Sequence, residues 1–343
     1  MILSGWFASW GQFFLCGLAI MYSGARLSRY GDVLAEKTGM GRTWMGLVLM
    51  AAATSLPELA TGASSILWVN APDITVGDLL GSCVFNLLIL ALVDILYPPG
   101  PVLTAADRGH LLAAAFGVVM LGVAVMGVMA HSPIESLNFG HVGLSSPLLI
   151  TCYLVAMRAV FRYQRREMDA YRKERKEEQL YGAITLNQAL LRFGLNALVV
   201  LAAGVWLPRT AATLAKLAGW HQSFMGTIFV AASTSLPEVV VTLSALRLGA
   251  IDLAVGNLFG SNLINLGLLG LMGLIYFPGP LLQLASSRHA ATGLMAVLMT
   301  GIAAGELVYR PQKKSLRWLS MGAFLLTFLY AAHIFLQILA GAG

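Results

Sequence analysis

The sequence predicts an all-α membrane protein of ten transmembrane helices, arranged as two inverted five-helix repeats with broken second and seventh helices. Three observations lead to this prediction: an apolar composition, ten apolar segments of membrane length, and an internal repeat. Of the 343 residues, 58% are hydrophobic and only 11% are charged, whereas soluble domains have about 25% charged residues. A bilayer is the solvent that stabilises such a composition.

Ten segments have the roughly 20 apolar residues that one membrane crossing needs. They are 5–25, 41–68, 74–97, 109–131, 142–161, 187–207, 219–246, 251–277, 289–307 and 317–339. The second and seventh are longer than one crossing needs, and each contains a proline and a glutamate, which indicates broken or tilted helices. No Lys or Arg precedes the first segment, so we expect a retained span and not a cleaved signal peptide.

The basic residues indicate the orientation. If the N-terminus faces outward, 19 of the 22 Lys and Arg lie on the cytoplasmic side, and only Arg209, Lys216 and Arg288 lie outside. The positive-inside rule therefore places both termini outside and the central loop in the cytoplasm, in what we expect to be a prokaryotic inner (plasma) membrane. The expected units are a first repeat at 1–161, a basic and acidic linker at 162–186, and a second repeat at 187–343.

The same residues exclude other classes of protein. Eight Lys and Arg between Arg158 and Lys176 alternate with acidic residues, as in a solvated loop, so the formal charge of +6 does not indicate nucleic-acid binding. The three cysteines lie in apolar stretches and predict no disulfide framework. We expect contact with membrane lipids, no cofactor and no protein partner.

The internal repeat is the most informative feature. Ala-Thr-Ser-Leu-Pro-Glu at 53–58 recurs as Ser-Thr-Ser-Leu-Pro-Glu at 233–238, an offset of 180. The segment from Val76 to Asn86 aligns with the segment from Val255 to Asn265 at an offset of 179. Equivalent helices are five spans apart, so the copies cross the membrane in opposite directions. Inverted repeats with interrupted helices are typical of secondary transporters, which bind ions at the midplane.

Glu58 and Glu238 are the central candidate residues. A carboxylate near the middle of a bilayer costs about 3 kcal/mol to insert, but two brought together by the repeat form a site of charge −2 that a divalent cation would neutralise. Pro57 and Pro237 lack an N–H and free backbone carbonyls upstream, including those of Thr54 and Thr234. Such hard oxygen ligands suit Ca²⁺.

Small and polar residues accompany the second motif. Gly77-x-x-x-Gly81 and Gly256-x-x-x-Gly260 place glycines on one helical face, which lets the third and eighth spans pack against the broken helices. Four polar residues follow on nearby turns and can point at the same place; these are Ser82, Asn86, Ser261 and Asn265. Close packing or interhelical hydrogen bonding is the alternative role for these four.

The two motifs resemble the α-repeats of the cation/Ca²⁺ exchanger superfamily, and the chain is similar to a prokaryotic Na⁺/Ca²⁺ exchanger. The resemblance implies alternating access around four clustered sites, one favouring Ca²⁺ and the others Na⁺, in a transporter and not an enzyme. It implies Glu58 and Glu238 as principal carboxylates and Thr54 and Thr234 as main-chain ligands. It also implies polar ligands at Ser55, Ser235, Ser82, Ser261, Asn86 and Asn265, and further carbonyls at Ala51 and Ala231.

Some positions depart from the family pattern. Asp78 stands where the family usually has Asn, and Cys83 also replaces an Asn. Asp78 is an accessory candidate, as an added ligand, a supporting acid or a proton carrier. It motivates the alternative of an H⁺-coupled Ca²⁺ (or other divalent cation) antiporter of the same fold. An intramembrane hydrolase and a channel are further alternatives.

Two other acids in the apolar segments have no role in the expected site. Asp94 has no counterpart, because Gly273 lies at the equivalent position, so we expect a structural role. Glu306 lies close to Arg310 near a helix end, and we expect the two to form a surface ion pair.

Overall fold

The computed structural model describes residues 2–37, 52–130, 138–171, 184–316 and 318–341, and these residues are predominantly helical. Helices in the first half are α1 (Ile2–Lys37), α2 (Leu56–Ser64), α3 (Pro72–Leu96), α4 (Val102–Ala105), α5 (His110–Met129) and α6 (Ser145–Tyr171). Those in the second half are α7 (Leu186–Ala218), α8 (Gln222–Phe224), α9 (Ala231–Thr234), α10 (Leu236–Arg247), α11 (Ile251–Ile275), α12 (Leu281–Leu284), α13 (Arg288–Tyr309) and α14 (Met321–Gly341). One π-helical stretch, Ser65–Val69, follows α2, and a second, Met225–Val230, joins α8 to α9.

Several of these helices are long and apolar enough to cross a membrane. Among the described residues they are α3, α5, α7, α11, α13 and α14, and a seventh span forms if the bent pair 222–234 and 236–247 is counted as one. The expected span 5–25 lies within α1, which continues to Lys37, and the expected span 142–161 overlaps α6, which begins at Ser145 and continues to Tyr171. The first part of the expected span 41–68 lies outside the described residues. The helical membrane class is thus confirmed, and the count of ten spans stays a prediction.

The sequence repeat is reflected in the helix boundaries. Helices α3 and α11 both contain 25 residues and begin 179 positions apart, at Pro72 and Ile251. The short helices α4 and α12 both contain four residues and have the same offset. Helices α3 and α11 pack against each other, and the long helices α1 and α7 also pack together.

Two crossed Asp–His contacts hold the ends of the central helices. Nε2 of His289, at the start of α13, lies 3.0 Å from Oδ1 of Asp73 in the first turn of α3. Nε2 of His110, at the start of α5, lies 3.3 Å from Oδ1 of Asp252 in the first turn of α11. Each aspartate also accepts the backbone N–H of the residue three positions before its histidine, at 2.7 and 2.6 Å. Each central helix is therefore fixed to a helix of the other half.

Asp94 has the structural role expected from its missing counterpart. One carboxylate oxygen accepts the N–H of Val102 at 2.8 Å, and the other accepts the N–H of Ser320 at 2.9 Å. The side chain thus ties the end of α3 to the start of α4 and to the segment before α14.

The prediction of a surface ion pair between Glu306 and Arg310 is wrong. Glu306 is buried and accepts the backbone N–H of Gly322 at 3.1 Å, while the guanidinium of Arg310 donates to the carbonyl of Ala106 at 2.6 Å. Arg310 lies just after α13 in the left-handed conformation, with φ of 52°. Arg310 therefore does not continue the helix, and its side chain is not one turn from Glu306 on the same helical face. It extends instead to Ala106 in the first half of the chain.

The glycines at 77 and 81 let α3 approach the π-helical stretch closely. A Cβ added at Gly77 would lie 2.8 Å from the backbone nitrogen of Thr227, and one at Gly81 would overlap the carbonyl of the same residue. Backbone cannot move aside as a flexible side chain can. The stretch equivalent to 225–230 in the first half falls within 38–51, outside the described residues, so the expected role of Gly256 and Gly260 stays a prediction.

This contact yields a stability prediction. Gly77→Ala should lower the melting temperature of the detergent-purified protein, because the new methyl group forces the backbones apart at a cost of about 1–3 kcal/mol. Gly117→Ala is the matched control: Gly117 is also in a helix of membrane length, and a Cβ there would meet nothing within 4 Å. Equal melting temperatures for the two variants would contradict the close approach.

Candidate functional site

The two Pro-Glu motifs break their helices in the same way. Ser55, just before α2, has φ −85° and ψ 7°, and Ser235, just before α10, has φ −84° and ψ 6°. This backbone region is sparsely populated and is common at functional sites. Pro57 and Pro237 follow in the first turn of the new helix, where an N–H would have no helical partner in any case. In the second half, the helices on the two sides of the break differ in direction by 41°.

The glutamates lie directly after these breaks. Glu58 and Glu238 are each in the first turn of the new helix and have no solvent exposure. The first turn of a helix has free N–H groups and a positive end of the helix dipole, both of which stabilise a carboxylate. The helix break therefore gives a buried acid a local source of positive potential.

The motifs meet, and their contacts cross between the two halves. The hydroxyl of Ser235 donates to Oε1 of Glu58 at 3.4 Å. Oε1 of Glu238 accepts a hydrogen bond at 3.3 Å from Ser261 of the same half. The Ser261 hydroxyl in turn lies 3.5 Å from the hydroxyl of Thr54 in the first half. Residues 180 positions apart in the chain thus share one buried polar pocket.

A third carboxylate lies in the same buried region, near Glu58. Oδ1 of the fully buried Asp78 accepts a hydrogen bond from the hydroxyl of Thr234 at 2.7 Å. Glu58 lies within electrostatic range of both Asp78 and Glu238. At the equivalent position of the second half, Asn257 is neutral and instead donates to Thr242 at 3.1 Å. The pocket is therefore more acidic on the α3 side than on the α11 side.

Many polar atoms of the pocket lack partners. A buried polar atom without a hydrogen bond costs about 1–3 kcal/mol, so a native protein tolerates few of them. Glu58 and Glu238 each have one oxygen, Oε2, with no partner among the described residues, and Asp78 has one such oxygen, Oδ2. The same is true of Ser55 Oγ, Asn86 Oδ1 and both amide atoms of Asn265. These unsatisfied oxygens are the feature expected of an ion-binding pocket.

The expected site residues that the structure describes are buried, and Ala231 and Ala51 need separate comment. Ser82 lies one turn after Asp78 on α3 and is fully buried, as are Thr54 and Thr234. Ala231 is also buried, but its carbonyl already accepts the N–H of Ser235 at 3.1 Å, so one of its two lone pairs is occupied. Ala51 lies outside the described residues.

The oxygens define the chemistry of the pocket. Within the described ranges, no three His, Cys, Asp or Glu side chains are grouped as a metal site. Hydroxyl, amide and carbonyl oxygens would therefore have to complete the coordination of a cation. Such a set suits hard cations and not soft transition metals.

Two groups of functional interest were missed by the sequence analysis. Asn262 is buried and donates to the carbonyl of Cys83 while it accepts from Asn86. The Asp–His contacts at the ends of α3 and α11 are the other group. In both cases the signal was available: Asp73 aligns with Asp252, His110 with His289, and Cys83 with Asn262, all at the offset of 179.

An acidic pocket enclosed by apolar helices of membrane length defines a polytopic membrane protein with an intramembrane ionisable site. The chain belongs to the sodium/calcium exchanger protein family, whose model matches residues 8–162 and 188–339. This family consists of membrane transporters and not of enzymes. The two matched ranges contain both copies of the repeat.

Known relatives cover most of the chain. Inner membrane protein YrbG of Escherichia coli K12 is 28% identical over 284 residues, which span 82% of this chain and 84% of that protein. Sodium/calcium exchanger MaX1 of Methanosarcina acetivorans is 28% identical over 296 residues, which span 76% of this chain and 82% of that protein.

A solved structure has the same fold. The sodium-calcium exchanger NCX_Mj, soaked with 10 mM Na⁺ and zero Ca²⁺, matches 97% of this chain and 99% of its own with a TM-score of 0.61. Only 22% of the aligned residues are identical. The match therefore supports the helical arrangement and not the identity of the transported ions.

The Thr234–Asp78 contact yields a second stability prediction. Thr234→Val keeps the shape of the side chain but removes the hydroxyl, so the buried Asp78 loses its donor at a cost of about 1–3 kcal/mol. Thr234→Ser retains the hydroxyl and serves as the control. The melting temperature of the valine variant should lie below that of the serine variant, and the opposite order would contradict the observed hydrogen bond.

Proposed function

We propose that the protein is a secondary active antiporter that exchanges Na⁺ for Ca²⁺ by alternating access at a midplane site formed by Glu58 and Glu238. One observation carries the proposal: two Pro-Glu turns from opposite halves of the chain meet in a buried pocket, and each glutamate has one oxygen without a partner. Family membership and the name of the M. acetivorans relative support the choice of ions.

The proposed ligands are oxygens that the repeats contribute in pairs. They are the carboxylates of Glu58 and Glu238, the carbonyls of Thr54 and Thr234, the hydroxyls of Ser55, Ser235, Ser82 and Ser261, and the amide oxygens of Asn86 and Asn265. This set is large enough for the six to eight oxygens that Ca²⁺ takes. Ala51 remains a proposed carbonyl donor, and Ala231 would act as one through the lone pair that does not accept the N–H of Ser235.

The charge of the pocket provides a physical basis for exchange. Two carboxylates without a counter-ion in a medium of low dielectric constant cost several kcal/mol each. That cost opposes any conformational change that carries the empty, charged site through a dehydrated state. A bound Ca²⁺, or Na⁺ ions that compete for the same oxygens, removes the cost. The protein would therefore change sides with ions bound, and this is the requirement for antiport.

We extend the proposal to the whole chain. Ten transmembrane helices form two inverted five-helix repeats, at 1–161 and 187–343, joined by the cytoplasmic linker 162–186. Both termini lie outside a prokaryotic inner membrane, and the E. coli relative is named an inner membrane protein. Lipids surround the helices, and the function requires no cofactor, protein partner or nucleic acid.

Asp78 favours a second candidate function, a Ca²⁺ (or other divalent cation) antiporter driven by H⁺. A third buried carboxylate beside Glu58 could carry a proton while the glutamates hold the divalent ion. The neutral Asn257 at the equivalent position shows that the repeat itself does not require an acid there.

Ion uptake into proteoliposomes separates these functions. Vesicles loaded with Na⁺ and diluted into Na⁺-free medium should accumulate radioactive Ca²⁺, because outward movement of Na⁺ drives uptake. A pH gradient alone should have no effect. Uptake driven by a pH gradient and not by Na⁺ would reject Na⁺ coupling in favour of the H⁺ alternative, and no uptake with either would reject both.

The controls use isosteric variants of buried acids. Glu58→Gln and Glu238→Gln should each reduce uptake to the level of empty vesicles while the protein remains monodisperse. Glu306→Gln is the matched control, because Glu306 is also a buried glutamate but contacts Gly322 on α14. Its uptake should remain close to that of the wild type.

A further inference from the structure

The crossing of α3 and α11 contains a reciprocal contact between equivalent residues. Cys83 and Asn262 align at the offset of 179. The amide of Asn262 donates to the carbonyl of Cys83 at 3.3 Å, and the thiol of Cys83 lies 3.9 Å from the carbonyl of Asn262. Equivalent residues of two repeats touch each other in this way where a two-fold axis passes between them.

This contact fixes the orientation of the Asn262 amide. The carbonyl of Cys83 can only accept a hydrogen bond, so Asn262 must present its NH₂ group there. Its oxygen, Oδ1, is then directed to Asn86, whose Nδ2 donates to it at 2.9 Å. Asn86 is thereby obliged to direct its own oxygen elsewhere. That oxygen is buried and has no partner among the described residues.

The second half lacks the corresponding arrangement. Asn265 is the equivalent of Asn86, and the residue equivalent to Asn262 is Cys83. A thiol is a weak donor and a weak acceptor, and it is shorter than an amide, so it cannot orient a neighbouring side chain as Asn262 does. Both amide atoms of Asn265 lack partners within the described part of the chain. One of the two candidate amide ligands is thus held in place and the other is not.

We propose that Asn262 is a positioning residue that holds the amide oxygen of Asn86 towards the cation pocket, and that Cys83 leaves Asn265 without such a constraint. The inference rests on the proposed function, since it concerns a ligand of the proposed site. A ligand held in advance by an outer hydrogen bond binds a metal ion more tightly than one that must be ordered on binding. The pocket is therefore unequal, with its oriented amide on α3.

The test is a double-mutant cycle of Ca²⁺ uptake with four proteins: wild type, Asn262→Cys, Asn86→Ala and the double variant. Asn262→Cys makes the second half like the first and should raise the half-saturating Ca²⁺ concentration about 10-fold, as loss of an outer-shell partner does. The maximal rate should remain within about twofold, because Asn86 would contribute to ion binding both when the site is open to the outside and when it is open to the cytoplasm. In the Asn86→Ala background, Asn262→Cys should have no further effect on the half-saturating concentration.

A control separates positioning from stability. Asn257→Cys removes another buried asparagine from the same helix, with its hydrogen bond to Thr242, and should leave the half-saturating concentration unchanged. If Asn262→Cys does not yield folded protein, Asn262→Ala takes its place in the cycle.

Two results would overturn the inference: an unchanged half-saturating concentration in the Asn262 variant, or an equal effect of that variant with and without Asn86. A wild-type protein without Ca²⁺ uptake would instead reject the proposed function and this inference with it. The two failures are therefore distinguishable.

Discussion

The structure depends on one electrostatic constraint: the carboxylates of Glu58, Glu238 and Asp78 are buried among apolar helices, and within the described part of the chain no cationic side chain contacts them. Glu58 and Glu238 are each stabilised by the first turn of a helix and by a serine hydroxyl, from the opposite half for Glu58 and from the same half for Glu238. These groups satisfy only part of each carboxylate. The remaining oxygens require protons or cations, and the proposed transport depends on that unsatisfied charge.

The repeat supplies the geometry, and its irregularities create differences between the halves. Matched helices, matched serine conformations and crossed Asp–His contacts make the two halves alike. Asp78 opposite Asn257, and Cys83 opposite Asn262, make them unlike. An exchanger needs one site accessible from two sides, which symmetry provides. Discrimination between ions needs a particular set of charges and oriented oxygens, and single substitutions within the repeat can adjust that set.

Much of the fold and of the pocket was predictable because the physics is local or repeated. Membrane burial required apolar segments, and the duplicated Pro-Glu motif identified both the helix breaks and the acids that meet there. The contacts of Glu306 and Arg310 were not predictable in this way, because a left-handed residue after α13 redirects the chain and neither partner is close in sequence. For Asn262 the sequence contains the alignment with Cys83 but not the contact, because an alignment identifies equivalent positions and not the packing of α3 against α11 that brings them together.

The central claim is that both Pro-Glu turns contribute to one cation site. Equilibrium binding of radioactive Ca²⁺ to the purified protein tests it most directly, with Na⁺ and Mg²⁺ as competitors. One Ca²⁺ should bind per chain, Na⁺ should displace it, and substitution of either Glu58 or Glu238 by Gln should abolish binding. If the protein without one of these carboxylates still binds Ca²⁺ as the wild type does, the two turns do not form a shared site.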